Sequence, residues 1–253
     1  MTALVALEGV TFTYSGAARP ALVDVSLEVA AGDVLAVAGE TGAGASTLLL
    51  VATGFAPRVV GGTLTGTRRI AARRCGVVFA RPWTQLTGLC ATVRDEIGFG
   101  PASQGWPRER VRSAAEHAMA RLRVAHLADR EPAQLSGGEL QRVVVAAALA
   151  MEPDVLALDD PAAELDPEAA DALYDVLPAV AAAGTAILVA TPDRERAARV
   201  ARRAVALAAG RIVARGAAAD VLGETAVAGI ARAAGCPPPF PLDVPALLRR
   251  VAR

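Results

Sequence analysis

The chain has 253 residues, 53% of them hydrophobic, and a formal net charge of zero, and every one of its 26 basic residues is arginine. This length suits one globular domain with a sizeable core, and the neutral charge gives no electrostatic reason to expect nucleic acid as a partner. The three cysteines are odd in number and unclustered, which indicates reduced thiols rather than a disulfide framework. Uncharged runs are too short to span a bilayer, so a membrane role would need another chain for the span.

The first part of the chain predicts a pair of strands, followed by a third strand, a loop and a helix. LVALEGVTFTY and LVDVSLEV predict two β-strands, with a turn at Ser15–Gly16 between them. DVLAVAG (33–39) is a short apolar run that ends in glycine, as a buried strand would. STLLLVATG then predicts a helix that ends at Gly54.

Residues 81–150 have helical periodicity and little strand signal, which predicts a helical insertion. After it, DVLALDD (154–160) and GTAILVAT (184–191) predict short apolar strands with helices between them. AVALAAGRIVARG predicts a strand pair that turns at Gly210, and the last thirty residues predict a proline-punctuated tail that ends in a short helix. Strands that alternate with helices imply a mostly parallel sheet covered on both faces.

GETGAGAST has the spacing of a phosphate-binding loop: Gly39, four residues, then Gly44. The pattern places lysine before Ser46, and this chain has Ala45 there. A general drift from lysine to arginine would explain a chain without lysine, but alanine removes the charge altogether. The glycines still allow backbone N–H groups to wrap phosphates, and the predicted strand–loop–helix context supports a nucleotide site.

LSGGELQR is the most specific string in the sequence. Ser136, Gly137 and Gly138 predict a small-residue turn at the start of a helix, where bare N–H groups and the helix dipole favour phosphate. An ordinary serine N-cap with a glycine turn is the alternative. About twenty residues later, VLALDDP places Asp159 and Asp160 at the end of a buried strand, where Mg²⁺ and an attacking water are held beside a phosphate loop.

The order of phosphate loop, helical insertion, LSGGE, acidic pair and LDP resembles the ATPase subunit of ABC transporters over essentially the whole chain. The resemblance implies an α/β P-loop NTPase with a RecA-like core of mostly parallel sheet, an antiparallel β subdomain and an inserted α-helical subdomain. It divides a single ABC ATPase domain, 1–253, into a nucleotide-binding core (1–80 and 151–222), a helical subdomain with LSGGE (81–150) and a tail (223–253). FARPWTQL, TVRDEIGFG and the AAGCPPPF tail are similar to the energy-coupling-factor (cobalt, nickel and vitamin) type.

The resemblance also implies ATP and Mg²⁺ as cofactors and assigns their contacts. Ser46 and Asp159 are the implied Mg²⁺ ligands, and Tyr14 is the implied adenine-stacking residue. The implied nucleotide-binding positions are Tyr14, Gly39, Thr41, Gly42, Ala43, Gly44, Ala45, Ser46 and Thr47.

Four positions depart from the family pattern. The lysine falls at Ala45, the glutamine of the loop entering the helical subdomain at Ala80, the catalytic glutamate at Asp160 and the switch histidine at Pro192. Loss of a charge-assisted phosphate contact slows turnover ~10²–10³-fold, and a carboxylate ~1 Å out of place costs ~10²-fold. Proline has no donor to offer a phosphate. We therefore expect this loop to bind ATP and to hydrolyse it poorly or not at all.

In the family, two ATPase domains dimerise head to tail, and each LSGGE completes the other chain's site. The resemblance therefore assigns Ser136, Gly137, Gly138 and Asp166 to a partner's nucleotide. This predicts the passive half of a heterodimer, held with a transmembrane coupling subunit at the inner face of the cell membrane. A non-hydrolysing nucleotide-binding scaffold and a slow homodimer that uses Asp160 are the alternatives. The intact LSGGELQR favours transport over a scaffold.

Several other residues suit ordinary surface or packing positions rather than a site. His117 and His126 suit surface or core positions better than a metal site. Trp83 and Trp106 flank the helical insertion and suit either a docking face for a membrane subunit or core packing. Arg73–Arg74 suits a solvated edge.

Overall fold

The computed structural model describes residues 3–223, so the predicted tail and Cys236 lie outside the described residues. Within that range, the strands are β1 (Ala3–Tyr14), β2 (Leu22–Ala30), β3 (Val34–Gly39), β4 (Gly62–Ile70), β5 (Cys75–Val78), β6 (Val155–Asp159), β7 (Ala186–Ala190), β8 (Arg203–Ala208) and β9 (Arg211–Ala217). The helices are α1 (Ala45–Ala52), α2 (Phe55–Arg58), α3 (Val93–Ser103), α4 (Arg108–Arg121), α5 (Gly137–Ala150), α6 (Pro167–Ala182), α7 (Arg194–Val200) and α8 (Ala218–Leu222).

The strands form two sheets. A three-stranded antiparallel sheet has the order β2-β1-β4, and a six-stranded sheet has the order β5-β6-β7-β3-β8-β9. In the larger sheet all neighbours pair in parallel except β8 and β9, which form the antiparallel pair predicted around Gly210. Gly210 has a φ of 77°, which suits the tight turn.

The larger sheet is buried on both faces, as its continuous apolar strands predict. Leu35 and Val37 of β3 point to one core cluster, with α1 and the small sheet, while Ala36 and Ala38 point to the other, with α3 to α8. Helix α1 lies in the first cluster, which explains why its sequence, ASTLLLVA, is apolar on almost every side.

The sequence patterns do not predict two of the strands. Strand β4, GTLTGTRRI, is largely exposed and has few apolar residues, so no hydrophobic alternation marks it. Strand β5 has only four residues, CGVV. Both are held by pairing with distant segments, β4 with β1 and β5 with β6, and such long-range pairing leaves no local signal.

The topology brings the ends of four strands together. Strands β5, β6, β7 and β3 are adjacent and parallel, so their carboxyl ends lie along one edge of the sheet. The segments that leave this edge contain Ala80, Asp160, Pro192 and the phosphate loop with Ala45. Ligands bind at this edge in open α/β sheets. No helix in the described part of the chain is both long and apolar enough to cross a membrane.

Candidate functional site

The phosphate loop has the backbone that its glycines predict. Helix α1 begins directly after Gly44, which has a φ of 105°, and no side chain caps this helix end. A Cβ on Gly44 would lie 2.7 Å from the Ala21 carbonyl oxygen, so only glycine fits there. A distant segment also holds the phosphate loop in place, because the Gly210 N–H donates a hydrogen bond to the Ala43 carbonyl over 3.0 Å. The free N–H groups of the first turn of α1 are therefore left for an anion.

The two predicted magnesium ligands lie together. Burial raises the pKa of Asp159, and the nearby Ser46 hydroxyl partly opposes this rise, so the two side chains face one another. A hydroxyl and a carboxylate beside a phosphate cradle are the hard oxygen ligands that Mg²⁺ prefers. The residues present therefore fit a magnesium-bound phosphate chain, although the loop has no cation of its own at Ala45.

Asp160 turns away from the strand that precedes it. Its φ is +45°, and its N–H donates to the Ala190 carbonyl over 2.7 Å at the end of β7. Partial burial, followed by the negative charges of Asp159 and Asp193, raises the pKa of Asp160. This environment suits a proton acceptor, but the side chain is one methylene shorter than the glutamate of the family pattern.

Tyr14 is tied to the start of α1. Its hydroxyl lies 2.9 Å from the Thr47 Oγ1, and its ring packs edge-on against Phe12 with 4.9 Å between the ring centroids. The end of β1 is therefore fixed beside the phosphate loop. Stacking of Tyr14 on adenine stays a prediction, as does any contact of the exposed Thr41 with nucleotide.

Pro192 lies in the segment that joins β7 to α7. It is exposed, its carbonyl accepts from the Arg194 N–H, and its ring nitrogen has no hydrogen to donate. The N–H of the next residue, Asp193, donates a hydrogen bond to the Thr191 hydroxyl over 3.0 Å. Position 192 itself therefore offers no side-chain donor.

The residues predicted to act on a partner's nucleotide form a second group. A Cβ on Gly137 would lie 3.4 Å from the Glu164 Oε2, and one on Gly138 would lie 3.3 Å from the Leu165 Cδ2. The LSGGE turn therefore lies against the segment that ends in Asp166. Ser136 and Asp166 are both exposed, at the N-termini of α5 and α6.

Within this second group the serine N-cap reading is correct. The Ser136 Oγ accepts from the Glu139 N–H, and the Glu139 carboxylate accepts from the Ser136 N–H over 2.8 Å, which completes a capping box. Asp166 caps α6 in the same way by accepting from the Ala169 N–H. The cap does not exclude a phosphate role, because glycines 137 and 138 add no side chain in front of the helix.

Trp83, which the sequence flagged as a docking or core residue, is 51% exposed, and its Cη2 lies 3.7 Å from the position of a Gly137 Cβ. Sequence reasoning missed two other features near these groups. Gln141 is fully buried, and neither polar atom of its side chain has a hydrogen-bond partner among the described residues. Arg196 joins segments that are far apart in sequence. Only Gln141 had a local signal, as a polar residue on the buried face of α5.

The remaining flagged residues lie away from the strand ends. Trp106 packs under the Arg110 guanidinium, 3.8 Å from the ring centroid, with Arg74 at 5.5 Å. Arg74 also binds the Glu152 carbonyl, while its side chain stays 39% exposed. His117 and His126 are exposed.

A sequence profile of the ABC transporter family matches residues 22–163. The chain belongs to the ABC transporter family. The cobalt import ATP-binding protein CbiO of Rhodobacter capsulatus is 39% identical over 253 aligned residues, covering 96% of this chain and 88% of that protein. The energy-coupling factor transporter ATP-binding protein EcfA of Methanothermobacter thermautotrophicus is 31% identical over 222 residues, covering 84% of this chain and 70% of that protein.

The fold of this ABC protein also matches solved relatives. The structure of cbiO1 from Clostridium perfringens, described as part of the ABC transporter complex cbiONQ, superposes with a TM-score of 0.75 at 26% identity. The match covers 92% of this chain and 96% of that one. The predicted α/β P-loop NTPase fold and the resemblance to energy-coupling-factor ATPases are confirmed. ATP is the ligand of the ABC family to which the chain belongs.

Proposed function

We propose that this chain is the ATP-binding subunit of an energy-coupling-factor type transporter and the degenerate half of a heterodimeric ATPase. The contrast between its two groups of site residues carries the proposal. At the strand ends, Ala45, Ala80, Asp160 and Pro192 have all departed from the family pattern. The group around LSGGE and Asp166 keeps the pattern unaltered.

At its own phosphate loop the chain binds ATP and turns it over poorly. Gly42 and Gly44 give the loop the positive φ angles that a phosphate cradle needs, and Ser46 with Asp159 would hold Mg²⁺. Bound Mg²⁺ neutralises charge that develops on the phosphate oxygens. Ala45 supplies no second cation, and Asp160 falls short of the position from which a glutamate would orient water. Tyr14 lies beside the loop, where an adenine ring would rest.

For its partner the chain supplies the N-terminus of α5. Helix dipole and unbonded N–H groups favour a phosphate in front of Ser136, and Gly137 and Gly138 let the backbone approach closely. Asp166 lies beside them through the packing of Gly138 on Leu165. The second ATPase subunit therefore provides the loop with the lysine, and this chain closes that site.

A transmembrane coupling subunit is the other proposed partner, and the heterodimer lies at the inner face of the cell membrane through it. The complex name cbiONQ of the solved relative supports an assembly of several subunits. We also propose the division into a core (1–80 and 151–222), a helical subdomain (81–150) and a tail (223–253). Choice of the transported substrate belongs to the membrane subunits.

The test is ATP turnover by the complex that copurifies with this chain from its own cells. We expect the wild-type complex to hydrolyse ATP and Ser136→Arg to lower the rate at least tenfold, because the arginine fills the space in front of α5. Ser113→Arg is the matched control, since Ser113 is an exposed serine on α4. Unchanged turnover in Ser136→Arg would overturn the composite site. If no partner copurifies and nothing is hydrolysed, a non-hydrolysing nucleotide-binding scaffold is the better reading.

A further inference from the structure

Arg196 on α7 holds three separate acceptors. Its Nε donates to the Asp171 Oδ1 on α6 over 2.9 Å, and its Nη2 donates to the Pro167 carbonyl over 3.2 Å. Its Nη1 donates to the Asp193 carboxylate. The guanidinium therefore joins the start of α6 to the segment between β7 and α7, which lie about 25 residues apart in sequence.

The two joined segments each carry a residue of the proposed function. Pro167 directly follows Asp166, which belongs to the group that faces the partner. Asp193 directly follows Pro192, which belongs to the chain's own site, and its negative charge acts on Asp160. A single side chain thus connects the own-site group with the partner-site group.

The chemistry of arginine suits this connection. A guanidinium is planar, carries five donors in a fixed fork and stays charged at all working pH values, so it fixes several acceptors in one geometry. An isolated surface ion pair contributes little, but Arg196 is only 23% exposed at its side chain and has two carboxylates and a carbonyl around it. Three bonds in different directions constrain the relative position of both segments.

We infer that Arg196 is a positioning residue that fixes Asp166 and Pro192 relative to one another, so that the two nucleotide sites of the proposed heterodimer are mechanically linked through this chain. The link itself lies within the chain, whereas its consequence for turnover rests on the proposed function. Because Pro192 offers no donor, the segment after β7 is fastened by Arg196 and Asp193 instead of by a contact of residue 192 with phosphate.

The chain offers a matched control for the experiment. Arg199 lies on the same helix and binds the same Asp171 Oδ1 at 3.1 Å, but its other carboxylate is Asp175 on α6. Arg199→Ala thus removes a bond between α7 and α6, as Arg196→Ala does, while the bonds to Pro167 and Asp193 stay in place.

Hydrogen exchange on the full chain tests the link without a partner. We expect Arg196→Ala to speed amide exchange roughly tenfold in both segments, 166–170 and 191–196, because each contains an acceptor that loses its guanidinium donor. Arg199→Ala should leave 166–170 unchanged. Faster exchange confined to α7 in Arg196→Ala, or the same pattern in both variants, would overturn the inference.

Steady-state turnover of the copurified complex tests the consequence. We expect Arg196→Ala to lower kcat severalfold with little change in KM for ATP, because positioning of Asp166 acts after nucleotide has bound. Arg199→Ala should stay near wild type, and Arg196→Lys should not restore kcat, since an ammonium lacks the planar fork. A complex that Ser136→Arg inactivates but Arg196→Ala does not would contradict the positioning role, as would full rescue by lysine. Failure of Ser136→Arg to act would instead contradict the proposed function, and the exchange result would still decide the link.

Discussion

At Ala45 the chain has a methyl group where the phosphate-loop pattern has an ammonium. The residue is the first of α1 and packs at the border of the core cluster around that helix. Gly44 beside it keeps the positive φ of a phosphate cradle, so Ala45 departs from the pattern in charge and not in backbone shape. In the phosphate-loop pattern the lysine at this position reaches the phosphates.

Ala45→Lys is therefore expected to tighten binding of Mg²⁺·ATP by the chain about 10–100-fold, since a hydrogen bond to a charged group contributes about 1.5–3 kcal/mol. Equilibrium titration with a fluorescent ATP analogue measures it. Ala45→Met, of similar length and without charge, is the control. An equal gain in the methionine variant would show that packing, and not charge, limits binding.

The pH dependence of stability provides a second prediction for a single residue. Since burial raises the pKa of Asp160 above its ordinary 3.8, the native state keeps this proton at pH values where the unfolded chain has released it. The free energy of unfolding therefore falls as pH rises from about 4 through the raised pKa. We expect Asp160→Asn to gain stability over wild type across this window.

Urea unfolding at pH 4, 5, 6 and 7 measures this difference. Asparagine tolerates the left-handed backbone of Asp160, so the substitution leaves the turn intact. Asp220→Asn serves as an exposed control on α8. A constant difference between Asp160→Asn and wild type at every pH would contradict the prediction.

At the scale of elements, the capping box makes α5 stable independently of any partner. We expect Ser136→Ala to lower the free energy of unfolding by about 1 kcal/mol, because the Glu139 N–H loses its acceptor. Thermal or urea unfolding measures it, with Ser113→Ala as control. Ser136→Ala keeps Gly137 and Gly138, so a small loss of turnover beside the large loss in Ser136→Arg would separate capping from phosphate access.

The elements also show how far the sequence predicts the structure. The phosphate loop, α1 and β6 were predicted correctly because their signals are local: glycine spacing, apolar runs and an acidic end. Strand β4 could not be found this way, since its pairing with β1 and not its composition makes it a strand. The packing of Gly138 on Leu165 and the bonds of Arg196 join distant segments, and no spacing rule indicates them.

At the scale of the whole molecule, Trp106 connects the helical segment to the sheet. Its ring lies near the guanidinium groups of both Arg110 of α4 and Arg74, which precedes β5, and Glu152 binds both of these groups. We expect Trp106→Ala to lower the free energy of unfolding by roughly 2 kcal/mol through lost burial and lost cation–π contacts. Chemical unfolding measures it, and Trp83→Ala, at the half-exposed tryptophan, should cost less than half as much. Equal losses would contradict the role of Trp106.

The four altered positions leave the ends of four neighbouring strands, and none of them belongs to the buried core. A substitution at this edge of the sheet therefore changes the chemistry of the site without removing a side chain from the buried core. Under the proposed function, the residues of the chain's own site can thus change while the group around LSGGE is kept. Lysine, glutamine, glutamate and histidine placed at Ala45, Ala80, Asp160 and Pro192 would therefore restore the whole family pattern through substitutions at one edge of the sheet.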